Sequence, residues 1–118
     1  MITPTLERLN TGVGEYVIFI WANMAAGDIG ELVSAFDFPD RSVQIVSNNF
    51  DGASVTLEMS NDGTHRTPLH DPQGSPLTFA AEKGEAVTEA TKHVGPTVTG
   101  GGAGTSITVV LFCFRRHA

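Results

Sequence analysis

The sequence predicts an all-β fold, an antiparallel β-sandwich of jelly-roll type with about eight short strands. In the segment Ser54–Ser60 every second residue is apolar, as in a strand that turns one face to a core. Turn signals recur between such segments, for example Asn61-Asp62-Gly63 and Asp71-Pro72-Gln73-Gly74. Short strands that recur every eight to twelve residues or so are typical of sandwiches and barrels.

The first 14 residues are predicted to be an arm that precedes a single β-sandwich domain of residues 15–118. Pro4 interrupts regular structure early. Leu6 and Leu9 have the spacing of one helical turn, but no period continues from them. Two interpretations remain open for this segment, a frayed terminus and an arm that packs on a neighbouring subunit.

The first strong strand signal lies at Glu15–Asn23, where Tyr16 to Trp21 are all apolar or aromatic. Such a run predicts a strand that is buried on both faces. The next segment has two interpretations. Asp28 and Glu31 could form a capping box for a short helix, whereas Glu31–Phe36 has the composition of a strand. Gly30 disfavours a helix interior, which favours the strand.

Further strands are predicted from alternation and from the turns between them. Pro68 restricts its strand to a sheet edge because proline donates no ladder hydrogen bond. Glu82–Glu85 is predicted to be a turn. The predicted strands are Arg41–Ser47, Ser54–Ser60, Thr64–Leu69, Leu77–Ala80, Ala86–Thr91, His93–Thr99 and Ser106–Phe114.

Two of these strands, Glu15–Asn23 and Ser106–Phe114, are apolar on both faces. A strand of a small sandwich has one inner face, so the second apolar face needs an explanation. Either loops cover the outer faces of these strands, or the outer faces meet another chain, since an exposed apolar patch favours association. This pattern predicts a protein of more than one subunit.

The charge balance argues against several partners. The net charge is −6, and the seven Lys and Arg residues include one adjacent pair, Arg115-Arg116. Binding to nucleic acid through phosphates needs clustered positive charge, so we expect no nucleic-acid partner. No apolar run is long enough to cross a bilayer, so we expect no membrane partner. The single cysteine, Cys113, excludes an internal disulfide.

No catalytic, cofactor or metal site is expected, and the chain is predicted not to be an enzyme. His65 and His70 lie near Asp62 and Asp71, and could bind a metal weakly, but they have no standard ligand spacing. Polar residues on exposed hairpins are the favoured interpretation. Cys113 lies within an apolar strand and is predicted to be a small buried side chain without a catalytic role.

The order of several strand and turn motifs resembles a family of small bacteriophage virion proteins, the cement or decoration proteins of tailed-phage heads. The similarity covers roughly residues 17–116 and departs at Gly95, where a basic residue is expected before Pro96. The motifs are Trp21, Met24, Gly27–Gly30, Asp40–Ile45, Ser54–Glu58, Ser60–Thr64, Leu69, Asp71–Gly74, Pro96–Gly102, Thr108–Leu111 and Arg115-Arg116.

The resemblance implies a non-enzymatic protein that binds and stabilises the phage head shell. Its partners would be the major capsid protein and further copies of itself, as a dimer or trimer. It would lie on the capsid exterior of the virion after assembly in the host cytoplasm. The alternative is a phage tail protein or a receptor- or carbohydrate-binding module. The expected contacts with subunits or capsid are Trp21, Phe36, Phe38, Phe112 and Phe114.

Overall fold

A computed structural model describes residues 1–117, which form two antiparallel β-sheets packed face to face. Alternating apolar residues produce the long strands, while turns rich in Gly, Asp and Pro separate them. The strands are β1 (Thr5–Asn10), β2 (Gly14–Met24), β3 (Val33–Ser34), β4 (Asp40–Asn49), β5 (Ala53–Ser60), β6 (Thr67–Pro68), β7 (Thr78–Phe79), β8 (Lys83–Ala86), β9 (His93–Gly100) and β10 (Ser106–Arg116).

The strand order confirms the predicted jelly-roll-like sandwich. The first sheet has the order β1-β2-β10-β4-β8. The second has the order β3-β9-β5-β6, and β7 also pairs with β5, in line with β6. Between β2 and β5 the chain changes sheet at every connection, and it does so again from β7 to β10. This repeated crossing between two antiparallel sheets is the jelly-roll arrangement.

The core lies between the two sheets and is made by the inward face of each long strand. On β2 the inward residues are Val17, Phe19 and Trp21, and on β10 they include Leu111 and Cys113, all buried. Burial of this apolar surface is the main free-energy gain on folding. The fully buried side chains of the opposite sheet are Val55, Leu57, Val94 and Val98.

The amino-terminal segment differs from the prediction, because Thr5–Asn10 forms the edge strand β1. Leu6 and Leu9 are three residues apart and do not alternate, so this segment has no period-two signal that would predict a strand. The pairing comes instead from a tight connection in which Thr11 N–H donates to Gly14 O at 2.7 Å. All six residues of β1 are exposed. Ala118 lies outside the described residues.

Other predictions of strand position were wrong in detail. Glu82–Glu85, predicted to be a turn, lies largely within β8, which pairs with β4. Ala86–Thr91, predicted to be a strand, is irregular beyond Ala86. The turn-like composition of Glu82–Glu85 gave no strand signal for β8. This strand forms because its pairing satisfies the backbone groups along the edge of β4. The structure has strand rather than helix within Glu31–Phe36, although only Val33–Ser34 pairs.

Candidate docking surface

The outer side of the first sheet carries a continuous apolar surface, which we call the outer apolar face. The antiparallel register places Ile20 opposite Val110, Ile18 opposite Phe112, and Tyr16 opposite Phe114. Directly opposed residues share a face of the sheet, so these three pairs form two adjoining rows. The strands on either side, β1 and β4, add one apolar residue each to these rows. The outer apolar face consists of Leu9, Tyr16, Ile18, Ile20, Val46, Val110, Phe112 and Phe114.

Three aromatic rings form the most compact part of the outer apolar face. The ring centroids of Tyr16 and Phe112 are 5.6 Å apart, and Phe112 stacks on Phe114 at 6.4 Å. The Phe114 ring also lies where a side chain at Gly14 would project, with ring atoms 2.7 and 2.8 Å from the Cβ position. Position 14 is therefore restricted to glycine while this ring keeps its place. The face is preorganised by these contacts.

The chain leaves the outer apolar face open to solvent. Phe112 is 37% exposed, Val46 38% and Leu9 47%, while Tyr16 and Ile18 are half-buried. Of the two explanations for strands that are apolar on both faces, burial under loops does not fit this exposure. An aromatic and aliphatic surface of this kind is a mark of an interaction site.

The five predicted contact residues separate into three groups. Phe112 and Phe114 lie on the outer apolar face, as the alternation in the last strand predicts. Phe36 is 66% exposed, but it lies in the connection between β3 and β4, beside Arg41 and Lys92, and is not one of the residues of this face. Trp21 and Phe38 are corrections, because both are buried in the core and neither side chain is available for a contact.

Each of the two buried aromatic residues has a local reason for its burial. Trp21 points inward because β2 alternates, and its Nε1–H donates to Glu31 O at 3.1 Å. Phe38 lies under the guanidinium of Arg115, whose Cζ is 5.5 Å from the ring centroid. Arg115 also pairs with Glu15 and Asp37, which fixes the loop that carries Phe38.

Sequence reasoning missed part of the outer apolar face. The uninterrupted run of β2 already contained the signal for Tyr16, Ile18 and Ile20, because alternate residues of that run must face outward. Val46 and Leu9 gave no signal, since neither belongs to a continuous apolar run. Their place on this face follows only from the pairing of β4 and β1 with the two central strands.

The resemblance leads us to expect a basic residue before Pro96, and in this chain the guanidinium of Arg66 lies beside that position. Gly95 lies opposite Glu58 on β5, and the space above Gly95 is occupied by the side chain of Arg66. Arg66 Nε donates to Glu58 Oε1 at 3.0 Å, and its Nη1 donates to Gly30 O at 2.8 Å. The ion pair is therefore made from the β5–β6 connection, and it holds the segment before β3 against the second sheet.

The histidines that were considered for metal binding lie apart, and each contacts a different carboxylate. His65 contacts Asp62 at 2.7 Å, whereas His70 contacts Glu89. Hydrogen bonds from the Thr64 backbone and from His65 hold the pKa of Asp62 well below its usual range, which marks a capped turn. No group of three potential ligands occurs within residues 1–117. The absence of a metal site stays a prediction.

The thiol of Cys113 lies in the core, as its position in an apolar strand predicts. Cys113 is fully buried between the sheets, and burial raises its pKa to about 11, partly opposed by the charge of Arg41. A thiol of this kind is not nucleophilic near neutral pH. Among the described residues, no helix has the length and apolar composition needed to cross a bilayer.

Comparisons with known proteins support the fold. No protein-family model matches the sequence, and no curated protein matches it at a significant level. The SPBc2 prophage-derived protein YomS is similar in structure, with a TM-score of 0.57, 11% identity and 95% of each chain covered. At this identity the likeness shows a shared β-sandwich fold alone.

Two further solved structures are similar at lower scores. Protein NMB1881 from Neisseria meningitidis has a TM-score of 0.43 and 11% identity over 94% of this chain and 84% of its own. The low-affinity xylan-binding module CBM86 from Roseburia intestinalis has a TM-score of 0.43 and 9% identity over 97% of this chain and 86% of its own. Neither likeness adds an argument about function.

Proposed function

We propose that this chain is a non-enzymatic virion structural protein, a cement or decoration protein that docks on the head shell of a phage through the outer apolar face. The observation that carries the proposal is the partial exposure of that face. A chain of this size would normally bury such residues or replace them with polar ones. The sandwich supplies the stiff support that a clamp between shell subunits needs.

The energetics of many weak contacts suit this role. Burial of apolar surface contributes roughly 25 cal/mol per Å². Ordering and loss of free rotation and translation offset part of that gain in each single contact. A shell presents the same site many times, and linked copies of a clamp gain avidity from it. The partners in this proposal are the major capsid protein and further copies of the chain, as a dimer or trimer.

The sequence resemblance to tailed-phage head proteins supports a phage origin and a place on the capsid exterior after assembly in the host cytoplasm. The prophage origin of YomS is compatible with this, although its likeness concerns the fold. The low density of positive charge in a chain of net charge −6 also suits an outer location, away from packaged DNA.

The test is the number of copies of this chain per gradient-purified particle. A ratio to the major shell protein near one, or near a simple lattice fraction, is expected for a cement protein. Replacing Phe112 and Phe114 together by Ser should lower the ratio at least about ten-fold, since central aromatic residues dominate interfaces. The purified variant should keep the far-ultraviolet spectrum of the wild-type chain.

Ile29→Ser is the matched control, because it also replaces an exposed apolar side chain by Ser, but beside the second sheet, where Ile29 pairs with Thr97. It should leave the copy number unchanged. Equal loss in both variants would mean that docking does not depend on the outer apolar face. A few copies per particle would point to a tail or vertex, and unchanged occupancy of the double variant would exclude the outer apolar face as the docking surface.

A tail or receptor- or carbohydrate-binding module is the second candidate, and the exposed ring of Phe36 favours it. Glycan-binding sandwiches need an aromatic platform with polar groups alongside. Trp21 lies in the core and Tyr16 packs on Phe112, which leaves Phe36 as an isolated ring. Binding of the purified chain to a glycan array, lost in Phe36→Ser, would place this candidate first.

A further inference from the structure

The positive side chains of the chain are unevenly paired. Four of the seven lie within 4.0 Å of a carboxylate of residues 1–117, namely Arg8, Arg66, Lys83 and Arg115. No carboxylate of residues 1–117 lies within that distance of Arg41 or Lys92. Both of these side chains line the same depression at one end of the sandwich. In a chain of net charge −6, this is a local excess of positive charge.

Arg41 is the unusual member of this pair because it is only 9% exposed. Its Nε donates to Phe38 O at 2.8 Å, Nη1 donates to Thr91 Oγ1 at 3.1 Å, and Nη2 donates to Thr91 O at 3.4 Å. These three contacts orient the guanidinium, but they use neutral acceptors. A guanidinium has five N–H groups, so two remain without an acceptor among residues 1–117. Burial of a charge without a counter-charge is costly.

The depression lies at the end of the sandwich and is lined by residues from both sheets and their connections. It has a volume of about 380 Å³ and is open to solvent. Arg41 comes from β4 of the first sheet, Asn61 from the β5–β6 connection of the second, and Lys92 from the β8–β9 connection that joins the two sheets. The backbone N–H of Lys92 donates to Asn61 Oδ1 at 3.0 Å, which fixes the far wall. Phe36 and Ala90 supply an apolar side, and no carboxylate lines the depression.

We propose that this depression, lined by Arg41, Lys92, Asn61 and Phe36, receives an acidic side chain carried on an apolar segment of a protein partner. A carboxylate can accept from the two remaining N–H groups of Arg41 and from the ammonium of Lys92. The adjoining apolar residue of the same segment packs on the exposed ring of Phe36. The choice of a protein partner rests on the proposed docking function.

The charge pattern distinguishes this ligand from other anions. Two cations and one aromatic ring match a single carboxylate beside an apolar group. A nucleic-acid strand would need a row of basic residues that the chain does not have. An acidic sugar offers the same carboxylate but surrounds it with hydroxyl groups. Of the neutral lining side chains, the Asn61 amide and the Thr91 hydroxyl could bind such groups, and both already accept a hydrogen bond within the chain.

The experiment is a titration of the isotope-labelled full chain followed by amide resonances in NMR spectra. The probe is N-acetyl-glutamyl-leucinamide, and the matched control ligand is N-acetyl-glutaminyl-leucinamide, which has the same shape without the charge. We expect millimolar binding of the acidic probe, with shifts at Asn61, Thr91 and Lys92. The neutral probe should bind about ten-fold more weakly, because charged acceptors form the stronger hydrogen bonds.

Two single substitutions at exposed side chains, which should leave the fold intact, test whether the acidic probe binds in the depression. Lys92→Gln changes an exposed side chain and should weaken binding of the acidic probe, whereas Arg116→Gln changes a cation outside the depression and should not. Equal binding of both probes, or no binding, would overturn the proposal. Tighter binding of inorganic phosphate or glucuronate would overturn the assignment to an acidic peptide. The titration measures peptide binding to the purified chain and does not depend on particle occupancy. A negative result would therefore overturn the proposed peptide site without deciding the proposed docking role.

Discussion

Gly30 shows how one residue fixes the position of a whole segment. A Cβ atom there would lie 2.7 Å from Cδ and Cγ of Pro96 and 2.9 Å from Cδ1 of Trp21. Both neighbours are buried rings without freedom to move aside. The absent side chain therefore lets the segment before β3 lie directly on β9, where Gly30 N–H donates to Pro96 O at 2.8 Å.

We expect Gly30→Ala to lower the free energy of unfolding by about 1–3 kcal/mol, the usual cost of overpacking. The measurement is urea denaturation followed by Trp fluorescence. Gly12→Ala is the matched control, because nothing lies within 4 Å of its Cβ position. That variant should be as stable as the wild-type chain or slightly more so. Equal stability of the two variants would contradict the tight packing described for Gly30.

Cys113 gives a second prediction at the scale of the residue. The thiolate is the reactive form, and below a pKa of about 11 the buried thiol keeps its proton. In the folded chain at mildly alkaline pH, we expect reaction with a chromogenic disulfide reagent to be limited by unfolding. Addition of denaturant should release the full signal at once. Because the chain has one cysteine, the signal reports on this site alone. Rapid labelling of the native chain would show that the core opens.

At the scale of the element, β1 is an edge strand with exposed leucines and two charges at its centre. Two copies of β1 could pair antiparallel about a two-fold axis perpendicular to the sheet, which would leave the outer faces of both copies on the same side. Directly opposed residues must then share a face, so an even-numbered residue can oppose only an even-numbered one, and an odd-numbered residue only an odd-numbered one. The registers of greatest overlap are centred on Glu7 or on Arg8. Each places a charge opposite its own symmetry mate, and like charges directly opposed are destabilising. These residues protect the edge against self-pairing.

Replacing Glu7 and Arg8 together by Thr should therefore increase self-association, as measured by light scattering after size-exclusion chromatography. The change keeps net charge constant and raises strand propensity at the edge. Glu82 with Lys92, both changed to Thr, is the control, since these exposed residues lie outside the strands. An average mass that stays at the wild-type value in the β1 variant would mean that the edge is blocked by something other than charge.

The elements that sequence could predict are those whose side chains decide their structure. Ser54–Ser60 and Arg41–Ser47 alternate, and both lie within observed strands because one face is buried. β1 and β8 could not be predicted, since their residues are mostly exposed and their pairing depends on the backbone of a neighbouring strand. Such strands are determined by tertiary context rather than by their own composition.

The same distinction applies to the candidate sites of the whole molecule. Alternation alone places Phe112 and Phe114 outward, and the apolar run of β2 implies a matching row. Alternation alone could not show that Trp21 belongs to the inner row, because the register between distant strands decides which side of β2 faces the core. The depression around Arg41 had no sequence signal at all. Its residues come from four separate segments that meet only when both sheets have formed.

The position of β10 has a consequence for how the molecule is made. β10 lies between β2 and β4, so Phe114 pairs with Tyr16 across almost the entire chain. While the chain is being synthesised, the first sheet lacks its central strand until residues 106–116 have left the ribosome. Until then the apolar run of β2 has only β1 beside it in its sheet. Such distant pairing makes folding slow, on the order of milliseconds to seconds, and exposes the nascent chain to aggregation in the meantime.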